Sequence, residues 1–221
     1  MASSANTRTI AIFRATGQTS RVVVRQLSAL ADSNALQLQI YVRTKAKLVG
    51  LLPGIDTKSS VRIFEGALTD VEVIKNTLTG AQIIVCTLGE NQNLPGVRVL
   101  QDGADSNIAA LEELRVYQKG WEKPHVLYLS SLTFNARFAA ARPPFIHWLI
   151  KTAFYHPYAD LAKAQAKLVE QSPLLSITLI QPPVLIEEDS TRHEISTESV
   201  RLAVSYEDLG SAFVEMILEN H

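Results

Sequence analysis

Six short apolar runs, each but the last leading into a longer polar or helical stretch, constrain this 221-residue chain more than any other feature. They cover residues 8–13, 36–42, 60–64, 82–86, 125–130 and 175–180. Several are apolar almost throughout ("IIVC", "HVLYLS", "SITLI"), the pattern of parallel strands covered on both faces. Helical spacing is read at about 18–31, 70–78, 97–118 and 157–171. In the first helix Val23, Leu27, Leu30 and Ala31 share a face. Asp70 is placed to cap the second. In the fourth, Leu161, Leu168 and Val169 share a face, with Lys163 and Lys167 elsewhere. Such alternation requires right-handed crossovers and predicts an α/β fold: one doubly wound parallel sheet, in the strand order 3-2-1-4-5-6.

Composition narrows the class. The chain is 47% hydrophobic and 19% charged, enough for a full core in a single domain over 1–221. Lys+Arg number 21 against Asp+Glu 22, a net charge of −1, which argues against nucleic acid or an anionic membrane as partner. Cys86 is the single cysteine, so no intrachain disulfide forms, and a cytoplasmic location is expected. The start, MASSANTRT, has no apolar h-region; residues 1–7 read as a loose tail. The longest apolar run, around "FIHWLI", is too short and interrupted to span a bilayer. The proline segments 142–144 and 181–183 read as loops after strands. A small-molecule substrate is expected, and a homodimer is left open.

In a doubly wound sheet, ligands sit beyond the carboxyl ends of the strands. Residues 14–20, 43–47, 66–70, 87–96, 130–138 and 181–190 therefore surround one crevice, with 131–221 supplying its substrate side. The stretch "IAIFRATGQTS", residues 10–20, runs from strand through turn into helix. Dinucleotide-binding loops often read G-A-T-G-Q-T-G here. Their first glycine permits the tight turn, the second lets backbone approach the pyrophosphate, and the third lets helix pack on strand. Only the second survives, as Gly17; Arg14 and Ser20 replace the others. Serine is a mild change. The arginine side chain must leave the turn towards solvent or enter the crevice, where it pairs with a phosphate or takes its space. The plain alternative is an ordinary strand-to-helix turn.

On this loop and on "IYVRTKAKL", "FEGALTD", "IIVCTLGEN", "VLYLSSL", "YADLAKAQAKLVEQSPLLSITLIQPPVL" and "ISTESVRLAVSYEDLGSAFVEM", the chain resembles the atypical short-chain dehydrogenase/reductases, the NmrA-like and flavin-reductase-like NAD(P)-binding proteins. The resemblance runs over nearly the whole length. It implies a Rossmann core, with Arg14, Thr16, Gly17, Gln18 and Thr19 at the cofactor phosphates. It also places Leu68 at the adenine and Thr87, Leu88 and Gly89 beside the ribose. Arg43 matches the family position that contacts a 2′-phosphate. No carboxylate ends the second strand, so NADP is favoured over NAD. The family's "GDLTD" reads Gly66-Ala67-Leu68-Thr69-Asp70, which removes a hydrogen bond to adenine. These departures point to altered cofactor binding or its loss.

The classical Tyr-x-x-x-Lys pair, in which lysine helps tyrosine exchange a proton, is absent. Four residues after Tyr155 is Ala159, four after Tyr158 is Ala162, and Lys163 is turned away. Ser130 and Ser131 end the fifth strand, where the family places a substrate-facing serine; Tyr158 matches a tyrosine near the substrate cavity of relatives. With Tyr155 they form the candidate catalytic set. A helical 144–155 would align His147, Lys151 and Tyr155, either as acid–base groups or as an exposed stripe. His193 reads as a surface residue, and no spacing of His or Cys supports a metal site. Three functions follow: an NADP(H)-dependent reductase of a small apolar or aromatic molecule, a non-redox cyclase or isomerase reusing the crevice, or a cofactor-sensing regulator.

Overall fold

The computed structural model describes residues 7–90, 92–139, 145, 148, 152–190 and 192–219. The sheet grows outward from β1 (Arg8–Phe13), whose Ile10, Ala11, Ile12 and Phe13 are fully buried. A strand buried on both faces must pair the N–H and C=O groups of both its edges with neighbours. β1 finds β2 (Leu36–Val42) on one side and β4 (Ile83–Cys86) on the other, both parallel. β3 (Val61–Glu65) then pairs with β2, β5 (His125–Leu129) with β4, and β6 (Ser176–Ile180) with β5. The order is β3-β2-β1-β4-β5-β6, all parallel, as expected from the alternation. Helices α1 (Gln18–Leu30), α2 (Lys45–Leu51), α3 (Val71–Leu78), α4 (Val99–Tyr117), α5 (Ala136–Ala139), α6 (Tyr155–Glu170) and α7 (Tyr206–Glu219) connect or follow the strands. A second small sheet pairs β7 (Val184–Ile186) with β8 (Ala203–Ser205).

Each face of the sheet has its own apolar layer. Val23, Leu27, Leu48 and Phe213 pack on one face; Ile74, Leu111, Ala164 and Leu168 pack on the other. α1 and α7 approach so closely that a Cβ on Gly210 would lie 2.5 Å from the Val22 side chain. Asp70 does cap α3, its carboxylate accepting from the Glu72 and Val73 amides.

Three local readings differ. Residues 45–51 form α2 rather than loop, because that helix buries only Leu48 and so shows no apolar stripe. The last helix, α7, was not anticipated, although Leu209, Ala212, Phe213 and Ile217 bury one face of it. In α6 the inner face is Leu161, Ala164 and Leu168; Val169 lies one step round the helix and is 49% exposed. Leu30, on the same α1 face as Val23 and Leu27, is partly buried and packs against their apolar layer as expected. Residues 1–6, the 142–144 proline segment and most of "FIHWLI" lie outside the described residues. Among the described residues no helix is long and apolar enough to cross a membrane, and no acidic, His or Cys cluster could hold a metal.

Candidate functional site

The carboxyl ends of β1, β2, β3 and β4 open into a cleft of about 670 Å³ lined by Arg14, Gly17, Arg43, Lys47, Leu68 and Gly89, among others. The turn after β1 closes through the Gly17 amide, which donates to the Arg14 carbonyl at 2.8 Å, and α1 begins at Gln18. Arg14 has φ 62°, in the left-handed region that the missing glycine would adopt without strain. Its side chain neither leaves towards solvent nor hangs free. Nη1 donates to the Gly89 carbonyl, and the stem passes over Gly17. Burial lowers the Arg14 pKa from the usual arginine value; Glu90 works against this and Arg43 adds to it. Ser20 is fully buried, and its hydroxyl pairs closely with that of Thr87, which also donates to the Phe13 carbonyl at 3.2 Å. The third-glycine position is thus filled by a hydroxyl that ties α1 to the ends of β1 and β4.

At the far end of the cleft Arg43 and Lys47 are exposed, and Lys45 instead faces Asp56 at 3.7 Å. Tyr41 forms part of the wall; its hydroxyl donates to the Gly66 carbonyl at 3.0 Å and its ring lies 5.4 Å from that of Phe13.

A second cavity of about 470 Å³ lies beyond β5 and shares Leu88, Gly89 and Glu90 with the first. Its walls are mostly apolar: Leu100, Leu129, Phe154, Pro157, Leu161 and Leu185. The Tyr158 ring sits 5.7 Å from Phe134 and 5.9 Å from Phe154. Polar groups are few. Ser131 Oγ lies 3.4 Å from the Tyr158 hydroxyl and accepts from the Thr133 amide. Ser130 donates to Gln165 Oε1 at 2.7 Å.

A family model for NAD(P)H-binding proteins matches residues 15–220. The chain belongs to the NAD(P)H-binding family. It is 32% identical over 207 residues to the oxidoreductase stcQ of Emericella nidulans, covering 93% of this chain and 76% of that one. It is 31% identical over 218 residues to averufin oxidase A of Aspergillus flavus, covering 94% and 77%. A short-chain dehydrogenase/reductase of Veillonella parvula, solved with NADP, superposes with a TM-score of 0.66 at 17% identity, over 97% of this chain and 88% of that one. The chain is a Rossmann-fold, oxidoreductase-like protein of this family.

The residues present suit the group that gives the NAD(P)H-binding family its name. Gly17 and Gly89 line the cleft without side chains, and the Arg14 guanidinium occupies the room they leave, so that a Cβ on Gly89 would fall 2.7 Å from Arg14 Nη1. α1 also starts here, with first-turn amides that have no partner within the helix. Of the sequence-stretch candidates, Arg14, Thr16, Gly17, Arg43, Leu68, Leu88 and Gly89 line the cleft. Thr19 and Thr87 are buried behind it, and Gln18 Nε2 reaches Glu187 at 2.6 Å. The structure brings Ser130, Ser131 and Tyr158 together but leaves Tyr155 outside both cavities, 62% exposed with its ring edge-on to His156. Lys163 lines a different hollow beside His156 and Asp160. His193 pairs with Glu215 at 2.7 Å on the surface, and His147 and Lys151 lie outside the described residues.

One positioning residue escaped the sequence reading. Asp160 of α6 is 2% exposed and accepts from the Leu100 and Gln101 amides at 2.9 and 3.1 Å and from Gln101 Nε2 at 3.0 Å. It caps α4 from another helix, where Val99 faces one cavity and Leu100 the other. Its signal was a carboxylate on the otherwise apolar face of "YADLAKAQ".

Proposed function

We propose that this protein is an NADP(H)-dependent reductase of a small apolar or aromatic molecule. The observation that carries the reading is the junction of the two cavities at Leu88-Gly89-Glu90. A dinucleotide whose adenosine end lies by Leu68 and Arg43 reaches that junction with its nicotinamide end. Arg43 and Lys47 suit a 2′-phosphate, and no carboxylate ends β2 to hold a free 2′-hydroxyl. When bound, the cofactor supplies a hydride. The protein's part is to hold a carbonyl against the junction. Apolar walls and the Tyr158, Phe134 and Phe154 rings position a flat ring system. The Ser131 and Tyr158 hydroxyls hydrogen-bond the oxygen as it gains charge, and Tyr158, in contact with solvent, passes it a proton. Ser130 has its hydroxyl engaged by Gln165 and serves as support. The oxidoreductase names of relatives favour the same class. We place the protein in the cytoplasm.

A second reading draws on Arg14 crossing the loop: a cyclase or isomerase that uses the second cavity alone. Calorimetric titration with NADPH, NADP and NADH separates the readings. NADPH is expected to bind best, and Arg43→Ala to weaken NADPH about tenfold or more, the scale of a charge-assisted hydrogen bond, while sparing NADH. Binding of none would favour the cyclase or isomerase. Tight binding without turnover over a panel of carbonyls and flavins would favour a cofactor-sensing regulator.

A further inference from the structure

Arg14 departs from a glycine in charge, conformation and reach at once. It holds φ 62°, where non-glycine residues are uncommon. Its guanidinium spans from the β1 loop to the loop after β4 and hydrogen-bonds the Gly89 carbonyl. A Cβ on Gly17 would lie 3.3 Å from the Arg14 carbonyl oxygen and 3.5 Å from its Nε, and one on Gly89 would lie 2.7 Å from its Nη1. Both glycines thus leave room that the guanidinium fills. If the adenosine end of a dinucleotide meets Arg43 and its nicotinamide end meets Ser131 and Tyr158, the diphosphate must pass through that same space.

We propose that Arg14 is the diphosphate ligand of this protein, with the Gly89 carbonyl holding its place until a nucleotide arrives. The proposal rests on the cofactor reading above. On binding, the guanidinium gives up a neutral carbonyl acceptor for anionic phosphate oxygens. Charge-assisted hydrogen bonds are roughly twice as strong as neutral ones, and a guanidinium can engage two oxygens at once. A second cation in the cleft makes the exchange more favourable. Burial lowers the Arg14 pKa, Glu90 raises it and Arg43 lowers it further, and an anion between the two arginines offsets their mutual repulsion. The same change explains how the loop tolerates a strained arginine: the glycine's freedom is lost, and a cation is gained where the ligand is most negative. Arg14 is then a specificity residue for diphosphate-containing ligands, separate from Arg43, which reads the 2′-phosphate.

The experiment is calorimetry with two probes, NADPH and adenosine 2′-phosphate, which lacks the diphosphate. The proteins are wild type, Arg14→Ala, Arg14→Lys and Arg14→Gly, the last restoring the residue that suits this φ and so keeping the fold. Arg14→Ala and Arg14→Gly are expected to bind NADPH about tenfold or more weakly. Arg14→Lys should recover part of the loss, and adenosine 2′-phosphate should bind all four alike. Added salt should weaken NADPH less in Arg14→Ala than in wild type. Wild-type NADPH binding that Arg14→Ala leaves unchanged overturns the proposal and spares the cofactor reading. NADPH binding that appears or tightens in Arg14→Gly makes Arg14 an obstacle, and again only this proposal falls. If no form binds NADPH, both fall.

Discussion

Ser20 and Tyr158 show how a single hydroxyl is committed by what surrounds it. Ser20 is buried in the first turn of α1, and its hydroxyl pairs with that of Thr87, so a side chain larger than glycine is held without an unpaired buried group. Ser20→Ala should cost about 1 kcal/mol, one internal hydrogen bond. Ser20→Val should cost about 1–3 kcal/mol by overpacking, both read from urea unfolding midpoints. Tyr158 is committed differently. Its ring is fixed between Phe134 and Phe154, and among the described residues its hydroxyl has a long contact to Ser131. On the reductase reading, Tyr158→Phe keeps the ring and removes the proton donor, so kcat should fall about 10²–10⁴-fold with KM little changed. An unchanged kcat would strip Tyr158 of that role. The type of both residues was plain in the sequence. Ser131 was already grouped with Tyr158 from the sequence, whereas the pairing of Ser20 with Thr87 was not legible, because the two come from segments far apart in the chain.

Elements hold the cleft in shape through contacts across long sequence separations. Asp160 on α6 caps α4, sixty positions earlier, and so fixes the wall shared by the two cavities. Asp160→Ala leaves two amides of a helix start without their acceptor and should destabilise by about 2 kcal/mol. Asp160→Asn, which keeps an acceptor oxygen, should lose less; equal losses would show that packing rather than capping matters there. The β5–β6 pair carries a titrating group, His125, 2.8 Å from the Thr178 hydroxyl. Burial lowers the His125 pKa from the ordinary 6.5, so the unfolded chain takes up its proton first. Stability is therefore full above about 6.5 and falls as pH drops below it, until the folded form also protonates. His125→Gln should flatten this part of the pH profile of the urea midpoint. The six main strands and four helices were legible because their apolar periods are strong. α2 was hidden by having one buried residue, and the cap from Asp160 was hidden because a carboxylate in a helix says nothing of a partner on another helix.

At the scale of the whole molecule, the cleft draws on the ends of β1 to β4, and the second cavity adds β5, α6 and the turn before β7. The crevice's position followed from the strand order alone, whereas its division into a polar and an apolar half depends on side-chain directions that no spacing supplies. A ligand seated there touches both halves of one cooperative fold, so its binding energy adds to the stability of the entire chain. At a free concentration of one hundred times Kd the gain is about 2.7 kcal/mol. For a domain of this size each kcal/mol raises Tm by about 2–4 °C, so NADPH should raise it by roughly 5–10 °C. NADH at the same concentration should raise it less, because it lacks the phosphate that Arg43 and Lys47 would hold. Arg43→Ala should bring the two shifts together without lowering the Tm of the free protein, since the side chain is exposed. Equal shifts with both nucleotides in the wild type would take the 2′-phosphate away from Arg43. No shift with either would leave the second cavity as the working site and move the protein to non-redox chemistry.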